Sequence, residues 1–93
     1  MSSIRTIKKD TQALLREVVD DCLSAMALHP EKHEEIAKII ENSLACYNSC
    51  LDKINAGKGQ KKPYYTEIMN SMLKCADEGF EQLRAIINAK EYD

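Results

Sequence analysis

The residues of this chain best suited to chemistry are its four cysteines, two of which lie four residues apart in the stretch CYNSC, from Cys46 to Cys50. Thiolates bind thiophilic metals such as zinc, and neighbouring thiols can be oxidised to a disulfide. The chain has no CxxC pair, and thiols at CxxxC spacing within a helix do not form the compact loop of a zinc finger. The cysteines must therefore be placed on secondary structure before either chemistry can be assessed.

Proline and glycine divide the 93-residue chain at two places, at Pro30 and within the stretch AGKGQKKP at 56–63. Both residue types interrupt helices, so these two places are the natural breaks. They leave three segments of similar length, at about 3–28, 30–56 and 63–90. We expect each segment to form one helix of ~26 residues, about 40 Å long at 1.5 Å per residue.

Apolar residues recur in all three segments at the spacings of three and four that place them on one face of an α-helix. On the first segment this face holds Leu15, Val18, Val19, Cys22 and Met26. On the second it holds Ile36, Ile39, Ile40, Ser43, Tyr47, Cys50, Leu51 and Ile54, and on the third Tyr65, Ile68, Met69, Met72, Ala76, Phe80, Leu83, Ile86 and Ile87. Short connections between amphipathic helices make neighbours antiparallel, so the prediction is an all-α, up-down-up three-helix bundle forming one domain over 1–93.

On such a bundle Cys46 and Cys75 lie at nearly the same distance from the second break, whereas Cys22 and Cys50 are on the order of 20 Å apart along the bundle axis. One site made of all four thiols is therefore disfavoured. The first interpretation is that the cysteines pack as small apolar residues in or beside the core. Two alternatives stay open, which are a metal site made of Cys46, Cys50 and Cys75, and a disulfide between Cys46 and Cys75.

The first segment carries more apolar residues than one core requires. A second stripe runs through Ile4, Ile7, Thr11, Leu14 and Val18, and Leu28 follows at the end of the helix. Because not all of these side chains can point into one core, we expect Ile4, Ile7, Leu14 and Leu28 to contact another protein helix. The simplest partner is a second copy of the chain, which predicts a homodimer through the first helix.

The second break is rich in lysine, with Lys58, Lys61 and Lys62 immediately before Tyr64 and Tyr65. Lysines and aromatic rings beside a helix N-terminus could bind an anion or contact nucleic acid. The stretch lacks a phosphate-binding loop sequence, and a solvated turn that keeps lysine for solubility is the favoured interpretation.

Composition and charge limit the remaining function classes. A net charge of −2 and a pI near 5.7 provide no overall attraction to the nucleic-acid backbone, so general nucleic-acid binding is disfavoured. The first ten residues have no continuous apolar run typical of a secretory signal, and no segment has the ~20 apolar residues of a membrane-spanning helix. We expect a cytoplasmic protein without membrane contact, whose cysteines are mostly thiols.

No catalytic or cofactor-binding motif is visible in the sequence. It contains no GxSxG, no glycine-rich nucleotide loop and no ExxH pair of the kind found in di-iron bundles. The prediction is a small non-enzymatic bundle, without cofactor, that acts through protein contacts and self-associates. The alternatives are a thiol-based metal or redox protein and, third, an anion or nucleic-acid contact at the lysine-rich turn.

Overall fold

The computed structural model describes residues 4–57 and 59–88, and of Ile4 only the backbone. Three α-helices follow one another, α1 at Ile4–Leu28, α2 at His33–Ala56 and α3 at Lys62–Asn88. They pack side by side into a rod 53 Å long and 19 Å across. The predicted all-α three-helix bundle is confirmed; residues 3, 89 and 90, which the sequence assigns to helix ends, lie outside the described ranges.

The first break differs in one detail from the prediction that Pro30 opens the second helix. A single 3-10 turn at Pro30–Lys32 comes first, and the α-helix begins at His33. His29 adopts φ −132° and ψ 69°, because the ring of the following proline excludes the helical region for the residue before it. The chain therefore needs one tighter turn before α2 can start.

The second break is closed by two tyrosines at the start of α3. The Tyr64 hydroxyl donates a hydrogen bond to the Lys53 carbonyl over 2.8 Å, and the Tyr65 hydroxyl donates one to the Gly57 carbonyl. Gly57 follows α2, as predicted, but its φ of −89° is open to any residue. Glycine is required there for space, because a Cβ atom would overlap the Tyr64 ring.

The core consists of two clusters along the rod. The upper cluster lies near the first break and contains Val18, Cys22, Ala25, Ile36, Ile39, Ala76 and Leu83. The lower cluster lies near the second break and contains Ile7, Cys50, Ile54, Tyr65, Ile68 and Met72. Most of these side chains are aliphatic or sulfur-containing, and all three helices contribute. The apolar faces of α2 and α3 are therefore those that the periodicity predicts.

The core face of α1 combines the two stripes seen in the sequence. Ile7, Thr11, Val18, Cys22 and Ala25 are buried at spacings of three, four and seven, while Leu15 and Val19 are half-buried. The Thr11 hydroxyl lies in the core because it donates to the carbonyls of the preceding turn. The expectation that Ile7 is surplus to the core is therefore wrong, since it fills the lower cluster.

Gly79 allows all three helices to approach closely at the upper cluster. A Cβ atom at this position would lie 3.3 Å from Val18 Cγ1 and 3.6 Å from both Ile39 Cγ2 and Ser43 Oγ.

Within residues 4–57 and 59–88, no helix combines the length and the apolar character needed to span a membrane.

Candidate functional site

A disulfide joins Cys46 of α2 to Cys75 of α3, with Cα atoms 6.8 Å apart. The sequence placed these two cysteines at one level of the bundle, and this placement is confirmed. The further expectation that the four cysteines are mostly thiols is wrong for this pair. Core packing alone does not describe them either, because both side chains are only half-buried, at the edge of the apolar faces where α2 meets α3.

The other two cysteines are free and buried in different clusters, Cys22 in the upper and Cys50 in the lower. The Cys50 thiol points toward the Ile68 carbonyl, with a sulfur–oxygen distance of 3.9 Å. The suggested metal site of Cys46, Cys50 and Cys75 has no support here, since two of its thiols are joined to each other. Across residues 4–57 and 59–88, no group of three His, Cys, Asp or Glu side chains is placed to hold a metal ion.

Burial raises the pKa of both free thiols above the ordinary value for cysteine. For Cys22 the negative charge of Asp21 raises the pKa further, whereas for Cys50 the positive charge of Lys53 partly offsets the effect of burial. A raised pKa leaves little thiolate near neutral pH, and thiolate is the reactive form. Cys22 and Cys50 are therefore poorly suited to nucleophilic or redox chemistry in the folded chain.

This burial predicts a loss of stability at alkaline pH. The unfolded thiols ionise at about pH 8.5, whereas the folded ones hold their protons to higher pH. Raising the pH therefore favours the unfolded state, and the stability contributed by the two neutral thiols is complete below about pH 8.5 and is lost as the pH passes through the folded pKa values. Urea midpoints measured between pH 7 and pH 10 should fall more steeply for the native chain than for Cys22→Ala/Cys50→Ala. An equal fall of the urea midpoint with pH in both proteins would contradict the burial of the Cys22 and Cys50 thiols.

Beside the disulfide, α2 and α3 enclose a cleft of about 220 Å³, which we call the α2–α3 cleft. Asn42 on α2 and Glu78 and Gln82 on α3 line it together with Cys75. Cys46 does not line the cleft and packs against the lower cluster. The two cysteines of one disulfide therefore have different surroundings.

On another side of the rod, α1 and α3 form an open groove of about 450 Å³, which we call the α1–α3 groove. Its apolar surface comes from Phe80, Leu83 and Ile87, and opposite charges lie on its two walls, Asp21 on α1 and Arg84 on α3. Asp21 and Arg84 do not form an ion pair with each other within the chain. The groove thus presents apolar surface together with one acid and one base.

Two rows of residues with seven-residue spacing extend from this groove. Leu14, Asp21 and Leu28 form the row on α1, and Leu73, Phe80 and Ile87 form the row on α3. Because α1 and α3 are parallel and rise equally per residue, the approach of Val18 to Gly79 and of Asp21 to the groove residues 80–87 places Leu14 within about one turn of Leu73, and Leu28 within about one turn of Ile87. Seven-residue spacing of apolar residues is typical of helices that pack along one another over several turns.

The predicted contact residues of α1 fall into three groups. Ile7 is buried in the chain's own core and is not available to a partner. Leu14 is half-buried and Leu28 is 77% exposed, and both belong to the α1 row. The side chain of Ile4 lies outside what the structure describes. Contact of Leu14 and Leu28 with another protein helix therefore stays a prediction, and in α1 the residue that lines the α1–α3 groove is Asp21.

The periodicity of α3 predicts Phe80 and Ile87 on its core face, and both pack against the upper cluster while they also line the groove. It gives no role to Leu73. Leu73 is 44% exposed, and its spacing of seven from Phe80 is the signal that could have identified it. Two further exposed leucines, Leu23 and Leu44, do not belong to either row. Leu23 lies about 160° around α1 from Asp21, on the side away from the groove.

Among the lysines of the second break, Lys61 and Lys62 are exposed and Lys62 begins α3, while Lys58 lies outside the described residues. Tyr64 and Tyr65, which the sequence placed beside the lysines as possible stacking rings, both use their hydroxyls to close the turn. Tyr65 is also buried. The anion patch therefore stays a prediction based on two exposed charges.

Comparison with known proteins adds no relative. No protein-family model matches the sequence, and neither the curated proteins nor the solved structures provide a match. The α1–α3 groove and the Cys46–Cys75 disulfide with its cleft are thus features from which a function can be inferred.

Proposed function

We propose that this chain is a small non-enzymatic helical bundle that acts through protein contacts, and that the α1–α3 groove is its contact surface. The observation that carries the proposal is the pair of seven-residue rows beside one groove on parallel helices, with Leu28 and Leu73 exposed within them. Large apolar side chains that recur along such a groove favour a helical partner over a small ligand.

The partner that fits best is a second copy of the chain, because the groove is complementary to itself. It carries one acid on α1 and one base on α3, at neighbouring levels. A two-fold axis parallel to the rod brings α1 of each copy opposite α3 of the other in the same direction. Leu14 then meets Leu73, Leu28 meets Ile87, and Asp21 meets Arg84, each across the interface and each twice. We propose this parallel homodimer in the cytoplasm.

Sedimentation equilibrium over micromolar concentrations tests the proposal, and we expect twice the chain mass. Placing a carboxylate in an apolar interface removes buried apolar contact and leaves a charge without a partner. Leu28→Glu and Leu73→Glu should each weaken self-association about tenfold to a hundredfold, as expected when two partly exposed leucines, one from each copy, together lose ~1.5–3 kcal/mol of burial.

Leu23→Glu is the matched control, because Leu23 is 53% exposed on α1 but lies on the side away from the groove. It should leave the dissociation constant unchanged within about twofold. A chain mass that is monomeric at all concentrations would reject the homodimer, and equal weakening by Leu23→Glu would reject the groove as its surface. Circular dichroism of each variant confirms that the helices remain.

A second candidate function is favoured by the disulfide. Cytoplasmic disulfides are mostly transient and serve catalysis or redox sensing, so Cys46–Cys75 in the expected compartment supports a redox-responsive protein. Alkylation of cells before lysis, followed by peptide mapping, should recover the pair partly reduced and partly oxidised. Recovery of only one form under both reducing and oxidising growth conditions would remove this candidate.

A further inference from the structure

We infer that the Cys46–Cys75 disulfide is a thiol-exchange site at which a small uncharged or cationic thiol attacks Cys75 through the α2–α3 cleft. The inference extends the redox candidate and does not depend on self-association. It assigns the attacked sulfur, the leaving sulfur and the class of thiol.

Access decides which sulfur is attacked. Cys75 forms part of the wall of the α2–α3 cleft, which holds about 220 Å³, enough for the side chain of a small thiol. Cys46 packs against the lower cluster and does not line the cleft. A thiolate has to approach the attacked sulfur along the line of the bond that breaks. Because the cleft borders Cys75 and not Cys46, we expect the thiolate to reach Cys75, with Cys46 as the leaving group.

The exchange proceeds in two steps. In the first, the incoming thiolate forms a bond to Cys75 Sγ, the Cys46–Cys75 bond breaks, and Cys46 leaves as a thiolate that takes a proton from water. In the second, another molecule of the same thiol attacks the sulfur of the bound thiol, which releases the small disulfide and leaves Cys75 as a thiolate. Two small thiols are oxidised to one disulfide, and the protein disulfide is reduced to two thiols.

Cys50 does not interfere with this sequence. It lies one helical turn after Cys46, but it is buried in the lower cluster and directs its thiol to the Ile68 carbonyl. The scarcity of its thiolate disfavours attack on the mixed disulfide. The thiol that competes for the intermediate is therefore Cys46, whose return to Cys75 Sγ expels the small thiol, so acid must trap the intermediate before Cys46 returns.

The polar lining of the cleft determines the class of thiol. Glu78 contributes a negative charge, and Asn42 and Gln82 contribute neutral amides. An anionic thiol such as glutathione meets repulsion from Glu78, whereas cysteamine, which carries an ammonium group, is attracted to it. We expect cysteamine to react roughly two- to fivefold faster than glutathione at equal thiolate concentration and low ionic strength, with the difference decreasing in salt.

The test uses the oxidised native chain with limiting cysteamine or glutathione, quenched with acid and mapped by mass spectrometry. We expect the adduct on Cys75 and a faster reaction with cysteamine than with glutathione. The preference for cysteamine should become smaller in Glu78→Gln but not in Glu81→Gln, whose carboxylate does not line the cleft. An adduct on Cys46, or on both cysteines equally, would overturn the inference, as would equal rates for the two thiols. Absence of the Cys46–Cys75 pair from the starting protein would overturn the redox candidate as well, so the two failures are distinguishable.

Discussion

Reduction of the Cys46–Cys75 disulfide should lower the free energy of unfolding by about 3.5 kcal/mol. The two cysteines are 29 residues apart in sequence, and the bond removes conformational entropy from the unfolded chain in proportion to the logarithm of that separation. Small domains have a free energy of unfolding of only ~5–15 kcal/mol, so the loss on reduction is a large fraction of the total stability. Urea unfolding followed by circular dichroism, with and without dithiothreitol, measures the difference.

The matched control is Cys46→Ala/Cys75→Ala, which removes the bond without a reductant. It should unfold at the same urea concentration as the reduced native chain and should not respond to dithiothreitol. The native helices should remain in the reduced chain, because Ile39, Ala76 and Leu83 still join α2 to α3 in the upper cluster. An unchanged urea midpoint on reduction would contradict this account, because it would show that the disulfide does not constrain the unfolded chain.

Met72→Ala should be far more destabilising than Leu73→Ala, although the two residues are adjacent. The Met72 side chain is fully buried in the lower cluster, whereas Leu73 is 44% exposed on the α3 row. Removing a buried Met side chain costs ~2–5 kcal/mol, because apolar contact is lost and a cavity remains. A half-exposed leucine should cost less than about 1 kcal/mol in the isolated chain.

The two substitutions should have the opposite order of effect on self-association. Leu73→Ala removes contact surface from the groove and should weaken the dimer, while Met72→Ala should affect it only through stability. Urea unfolding at a concentration below dimerisation separates the two properties. Equal loss of stability in both variants would mean that α3 is rotated from the orientation described here.

Much of the fold could be predicted because local residue chemistry determines it. Pro30 and the glycines of the second break mark the limits of the helices, and the three- and four-residue spacing identifies the core faces of α2 and α3. The exact start of α2 could not be predicted, since it depends on how the chain turns after His29. The need for glycine at position 57 could not be predicted either, because it depends on where the Tyr64 ring packs after the turn.

The candidate sites could be predicted only in part, because they depend on contacts between helices. Counting residues from the second break placed Cys46 beside Cys75, but which chemistry the pair adopts is not determined by their level alone. The α1 face was harder to assign, since Ile7 and Leu14 lie on one stripe and yet only Ile7 is fully buried. The α3 row becomes meaningful only when Phe80 is known to line the same groove as Asp21.

A charge-exchange experiment tests the central claim most directly, namely that two copies meet through their α1–α3 grooves. In Asp21→Arg both facing charges of the homodimer become positive, and in Arg84→Asp both become negative, so each variant alone should self-associate roughly tenfold more weakly. Mixing the two variants restores opposite charges at both contacts. Sedimentation of the mixture should therefore recover a one-to-one dimer with nearly native affinity, and a mixture that dissociates as readily as its separate components would contradict the proposed interface.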